Sequence, residues 1–284
     1  MNESEHKVAP MLPYYLIHQV GKVASQTLEA AIRRSTGGTS RIERHHYLSD
    51  DGLANLESMC RLPGIQADGF GSVMQQLNLA HAVRDELDAY LDGDVSCGVW
   101  VLTGVRHPLD LSVAAFFQNI RTYCPSLDYD DDKVDYTADR LIEFFNSQFD
   151  RMLLGKPATS FPEALLDLSL RGPEPWFDKE FRPFYDVDVY ARPIGRSQQF
   201  ITFRSSKLNF VIYRTEFLPS AIHPLLRTIG APAIVGETSS VNVGEEKDYS
   251  NLYRAFKRRF KPPLSVMDYY YSGPFFRHFY GERK

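Results

Sequence analysis

The sequence predicts an α/β fold: a single domain with a mainly parallel central sheet flanked by helices. Three observations carry this expectation. A short apolar strand, Tyr14 to Val20, runs into a Gly-Lys turn and then a helix. The run Gly98 to Val105, GVWVLTGV, is continuously apolar, as a strand buried on both faces would be. Strand-like and helix-like segments then alternate along 284 residues without an internal repeat, low-complexity tract or Gly/Ser-rich linker.

Each element has its own local reason. After the first strand, a helix is expected from about Gln26 to Arg34, and Arg41 to Leu48 reads as a second strand. Ser72 to Leu91 has helical periodicity, with Val73, Leu77, Ala80, Val83, Leu87 and Leu91 near one face. Pro108 stands where a helix begins, and Leu109 to Tyr123 continues it. The acidic stretch Asp128 to Asp135 reads as a solvated loop, and Thr137 to Leu154 as a helix. Val187 to Tyr190, Gln199 to Phe203 and Leu208 to Tyr213 are short and β-branched or aromatic, with Ser205-Ser206-Lys207 as a turn. Helices are expected at Leu218 to Ile229 and Tyr249 to Phe260, and the aromatic tail from Tyr269 to Tyr280 is too apolar not to pack back.

Composition narrows the function. A net charge of −4 argues against general affinity for nucleic acid or an anionic membrane, so an anionic ligand must meet a local basic site. Cys60, Cys97 and Cys124 are odd in number and lack metal-ligand spacing; they read as reduced, mostly buried thiols of a cytoplasmic protein. Met1 to Pro10 is polar and expected to be flexible, and no run approaches the ~18 apolar residues of a membrane span.

The chemistry concentrates after the first strand, at Gly21-Lys22-Val23-Ala24-Ser25-Gln26-Thr27. A strand leading through Gly and Lys into a helix is an anion site: N–H groups of the helix N-terminus face the ligand, Gly21 permits close approach and Lys22 adds charge. The loop is not that of a nucleoside triphosphatase, GxxxxGK[ST], because Val23 follows the lysine and Leu16 occupies the first glycine position. It suits a smaller 5′ group. The second stretch, Val99 to Pro108, ends a buried strand on Arg106, which can fork onto a phosphate or merely cap the strand.

Taken together, these stretches resemble the sulfotransferase superfamily, and most closely a bacterial family of capsular polysaccharide synthesis proteins. That family has a GKVGSSS-like first loop and a VRxPxxRxxSAFFxN-like second one; this chain has GKVASQT and VRHPLDLSVAAFFQN. Further similarity runs through Trp176 to Glu180 with Asp188 to Tyr190, Phe210 to Glu216, and Tyr270 to Tyr280. The resemblance implies one P-loop-like sulfotransferase domain over residues 1–284. It implies 3′-phosphoadenosine 5′-phosphosulfate (PAPS) as donor, no metal, and a hydroxyl acceptor, a carbohydrate by family. Gly21 to Thr27 would hold the 5′ group and Arg106 the 3′-phosphate. The family's second-motif arginine and serine fall on Leu111 and Ala114. Ser112 is the nearest hydroxyl, although residues two apart on a helix face different sides. Lys247, from the basic cluster that continues through Tyr249, Arg254, Lys257, Arg258 and Arg259, is the other candidate for that phosphate. The competing reading of the cluster is a solvated helix face.

Sulfuryl transfer needs an in-line acceptor oxygen, a base for its proton and positive charge on the departing oxygen. Lys22 suits the leaving group. His46, at the end of the second strand and within a family-like HxHFL segment, suits the base; on a regular strand His45 would face away from it. Asp178 and Glu180 are the competing bases, though salt bridging explains both, and Arg214 with Glu216 reads as a structural ion-pair network. Two other functions remain open: a P-loop phosphotransferase, and a non-catalytic relative that binds nucleotide or glycan.

Overall fold

A computed structural model of the chain describes residues 13–65, 67–93, 98–127, 133–231 and 249–281. Lys247, Cys97, Met1 to Pro10 and residues 128–132 of the acidic stretch lie outside them. The elements in chain order are β1 (Tyr14–His18), α1 (Ser25–Ser35), β2 (Arg41–His45), α2 (Asp50–Cys60), α3 (Ala67–Asp92) and β3 (Val99–Val105). Next come α4 (Pro108–Gln118), α5 (Ile120–Tyr123), α6 (Val134–Leu153), α7 (Phe161–Arg171), a π-helical turn (Phe177–Phe181) and α8 (Arg182–Tyr185). The antiparallel pair β4 (Phe200–Ser205) and β5 (Leu208–Arg214) precedes a 3-10 turn (Thr215–Phe217), α9 (Leu218–Thr228), α10 (Ser250–Arg259), α11 (Leu264–Ser272) and α12 (Pro274–Phe279).

The sheet order is β2-β1-β3-β5-β4, all parallel except β4. From β1 the chain crosses to β2 on one side and returns to β3 on the other. The switch point of the sheet therefore lies between the carboxyl ends of β1 and β3, where open α/β sheets bind ligands. The strand period places alternate residues on opposite faces. Tyr15, Ile17, Leu102 and Val211 pack with Leu28, Ala31 and Ile32 of α1 and with Ile222 and Leu225 of α9. Tyr14, Leu16, Val101 and Phe210 pack with α2, α3 and the Phe177/Phe181 turn. A third cluster joins α4, α6, α10 and α11 through Phe116, Phe145, Phe256 and Tyr270.

Several expectations shift. β2 stops at His45, because the residues that follow give their N–H groups to a side chain instead of a ladder: Leu48 and Ser49 both donate to Glu180. His46 is therefore off the strand, and strand alternation does not govern it. Val187 to Tyr190 is no strand. Val187 and Val189 are buried, but the Tyr190 N–H is taken by Asp188 Oδ1 and the Arg192 N–H by Val189 O, which closes turns. The expected helix Leu109 to Tyr123 is interrupted at Asn119, and Val134–Asp135 of the acidic stretch already belongs to α6. Cys60 and Cys124 are free but half-buried, and burial raises the pKa of both. Among the described residues no helix is long and apolar enough to cross a membrane.

Candidate functional site

The loop joining β1 to α1, residues 19–24, sits at the switch point. Lys22 (φ 66°) and Ala24 (φ 58°) both adopt the left-handed region without being glycine, at a cost of roughly 1–2 kcal/mol each. Ala24 is the N-cap of α1, and no side chain caps that terminus; no acid lies in the first turn. The helix start is thus left favourable to an anion.

What holds this strained backbone is a set of donors to its carbonyls. Thr103 Oγ1 donates to His18 O at 2.6 Å, and Tyr213 Oη to Val23 O at 2.8 Å. Arg106 Nη1 donates to Lys22 O at 3.3 Å, and His46 Nδ1 meets Gln19 O at 2.9 Å. In a planar trans peptide the N–H points opposite to the C=O. Fixing the carbonyls of Gln19, Lys22 and Val23 therefore directs the N–H groups of Val20, Val23 and Ala24 away from those donors, as an anion cradle requires. Val23's side chain is fully buried beneath the loop, so it contributes backbone only. Ser25 and Thr27 are almost buried, while Gly21, Lys22, Ala24 and Gln26 are half-buried. Gly21 has ordinary φ, and a Cβ there would lie 4.0 Å from His46 Cε1, so loop and imidazole are neighbours at this point.

His46 is well placed. Gln19 O can only accept, so Nδ1 carries the hydrogen and Nε2 keeps its lone pair. Burial, opposed by the Gln19 bond and reinforced by the Arg44, His18 and Lys22 charges, lowers its pKa, which favours the neutral base. His45 is buried and lowered to about 4, by burial first and by His18 and His46 next.

The competing carboxylates separate. Asp178 is exposed on the far side of its turn. Glu180 is 2% exposed and accepts from Leu48 N–H, Ser49 N–H, Ser49 Oγ and His18 Nε2. Burial would raise its pKa, but the His18 imidazole and the Ser49 and Leu48 donors outweigh this and hold it below the ordinary value. It is structural here, as its salt-bridging reading expects.

Arg106 and Lys22 meet, as the two-loop reading requires. Ser112 does not join them. It is fully buried on the inner side of α4, its Oγ only 2.8 Å from where a Gly172 Cβ would stand and close to the Tyr270 ring's surroundings. It lies against Gly172, the residue that ends α7. Leu111 is buried and Ala114 half-buried. Arg214 and Glu216 do not pair with each other. Arg214, nearly buried, donates to Arg196 O and Phe279 O, whereas Glu216 accepts His107 N–H at 2.8 Å and the Tyr280 hydroxyl. Glu216 thus fastens the C-terminal tail to the Arg106-His107 turn, and Arg214 fastens it to the segment before β4, roles that sequence spacing does not signal. On α10, Arg258 and Arg259 pair with Asp135 and Asp139 of α6, and Lys257 approaches Asp110 at 3.9 Å. This is the solvated, paired helix face. Among the described residues no group of three His, Cys, Asp or Glu is placed to hold a metal.

Comparisons with protein-family models, with curated proteins and with solved structures find no match to this chain.

Proposed function

We propose that this chain is a PAPS-dependent sulfotransferase of P-loop-like fold, acting on a hydroxyl of a carbohydrate or a related acceptor. The observation that carries the proposal is the juxtaposition at one switch point of an uncapped helix N-terminus, the left-handed Lys22-Val23-Ala24 backbone, Arg106 and a neutral His46. In this reading the acceptor oxygen attacks sulfur while the bond from sulfur to the 5′-phosphate oxygen breaks. The hydroxyl proton passes to His46 Nε2, and the charge growing on the departing phosphate is met by Lys22 and the loop N–H groups. The half-buried thiols Cys60 and Cys124 support a cytoplasmic setting. Val23, with its buried side chain in place of the magnesium-binding hydroxyl, speaks against a P-loop phosphotransferase.

The test is a thermal-shift comparison. Adenosine 3′,5′-bisphosphate should stabilise the protein, by about 2.7 kcal/mol at 100 times its dissociation constant, and ATP with magnesium should not. Arg106→Ala should weaken the bisphosphate by roughly 1.5–3 kcal/mol. Equal stabilisation by ATP overturns the reading. A non-catalytic nucleotide binder is the second reading, favoured by Leu111 and Ala114 at the family's arginine and serine positions; binding without transfer to any carbohydrate acceptor would select it.

A further inference from the structure

Residues 46–49 leave the sheet, and their backbone is held almost wholly by the segment around the π-helical turn. Trp176 Nε1 donates to His46 O at 3.1 Å. Glu180 takes the Leu48 and Ser49 N–H groups and, at 2.6 Å, the Ser49 hydroxyl. Oε1, the oxygen that takes the two N–H groups, also accepts from His18 Nε2 at 3.1 Å, which leaves His18 Nδ1 to meet the Tyr185 hydroxyl at 3.1 Å. Ser49 in turn caps α2 by accepting from Gly52 N–H. A Cβ on Gly52 would stand 2.1 Å from Glu180 Oε2, so the carboxylate lies directly against the start of that helix.

A buried carboxylate is costly even when paired, and apolar packing of similar volume is often more stable. Here every donor it collects lies either at the end of β1, directly before the anion loop, or two to three residues beyond His46. We infer that Glu180 is a positioning residue for His46. Its carboxylate fixes the Leu48-Ser49 turn, with Trp176 fixing the His46 carbonyl, so that the imidazole meets Gln19 O through Nδ1 and turns its Cε1 edge toward Gly21. The catalytic consequence rests on the reading of His46 as the base; the positioning itself does not.

The experiment uses the full chain with Glu180→Gln and Ser49→Ala. The first readout is the nitrogen-15 NMR titration of the His46 imidazole in the ligand-free protein. The wild type should show the Nδ1–H tautomer with a midpoint below that of an ordinary histidine. In Glu180→Gln the tautomer should shift towards Nε2–H and the midpoint towards the ordinary value. Ser49→Ala should do the same in part, and it carries the test if Glu180→Gln does not fold. The second readout is sulfuryl transfer: kcat should fall roughly 10–100-fold, the scale of a misplaced reacting group, while bisphosphate affinity stays within about threefold because Lys22 and Arg106 are untouched. An unchanged His46 tautomer and midpoint in the folded variants overturns the positioning role. Wild type that binds no bisphosphate and transfers nothing, yet shows the tautomer shift in the variants, overturns the proposed reaction and leaves the positioning standing.

Discussion

Lys22 combines two roles that substitution can separate. Its φ of 66° shapes the loop, and its ammonium supplies charge. Lys22→Gly should relieve the left-handed backbone and shift the melting temperature by at most a few degrees, whereas Lys22→Ala keeps the backbone cost. In the proposed sulfuryl transfer, both should lower the rate by on the order of 10²–10³, the usual loss of one preorganised charge-stabilising group. A Lys22→Gly enzyme with near-normal kcat would show that the backbone, not the charge, does the chemistry. His46 makes a separate forecast in pH. A base whose pKa is lowered stays neutral to more acidic pH, so the acid limb of kcat/KM should fall below the ordinary histidine midpoint of about 6.5. His46→Ala should cost about 10²–10⁴ in rate, and His45→Ala much less. An acid limb above 6.5 would contradict the burial of this ring.

At the scale of elements, the loop is shaped from beneath by β3 and β5. A Cβ on Gly104 of β3 would lie 2.8 Å from the Tyr213 hydroxyl and ring and 2.8 Å from Val23 Cβ, the two groups that seat the loop. Gly104→Ala should therefore destabilise by about 1–3 kcal/mol and also weaken adenosine bisphosphate. Gly71→Ala, on α3 with open space around it, should be neutral or stabilising by up to ~1 kcal/mol. Urea melts and calorimetry on both decide whether the loop is supported in this way. The same elements show what the sequence could reveal. β1, β3, β5, α1 and α6 were legible because apolar runs and helical periodicity report burial directly. α2 and α7 carry weaker apolar periodicity, although both have N-cap signals. Ser49 is followed by Asp50 and Asp51, and Ser160 precedes Pro162 and Glu163 in a capping box whose glutamate accepts from the Thr159 N–H. The end of β2 and the fate of Val187 to Tyr190 were not legible in the same way. Both turn on which distant or local carboxylate captures a backbone N–H, Glu180 in one case and Asp188 in the other. That Gly21 to Thr27 and Arg106 come together was legible because they follow directly on β1 and β3, two recognisable strands that pair. The burial of Ser112 against Gly172 depends on packing across more than fifty residues of chain, which spacing on α4 alone does not fix.

The whole molecule is closed by its C-terminal tail. Phe275 and Phe279 enter the core beneath the sheet, Arg214 and Glu216 hold Phe279 and Tyr280, and Glu174 accepts the Phe275 N–H at 3.1 Å at the start of α12. Burial raises the Glu174 carboxyl to about 7, against the lowering effect of the Phe275 and Phe276 N–H groups and the Arg277 charge. A raised folded pKa means that the native state takes up a proton. Its contribution to stability is fully present below about 4.5 and is lost as pH rises to about 7. His45 has the opposite sign. Its folded value of about 4 lies below the ordinary 6.5, so its contribution is present above 6.5 and lost as pH falls towards 4. Across pH 5 to 6.5 the slopes of Glu174 and His45 oppose each other, while His46 and His107, also lowered by burial, act in the same direction as His45. Wild-type stability should therefore rise with pH there, offset in part by Glu174. Glu174→Gln should steepen that rise and His45→Asn should flatten it, each by up to about 1.4 kcal/mol per pH unit for one proton. Glu180, held below its ordinary value, adds a loss of stability only at lower pH, as its carboxylate is protonated and releases Leu48 and Ser49. Urea unfolding at half-unit steps from pH 4.5 to 7.5 measures all three slopes. If Glu174→Gln simply parallels the wild type between pH 5 and 7, its carboxyl is not titrating there, and the tail is held by its aromatic packing alone.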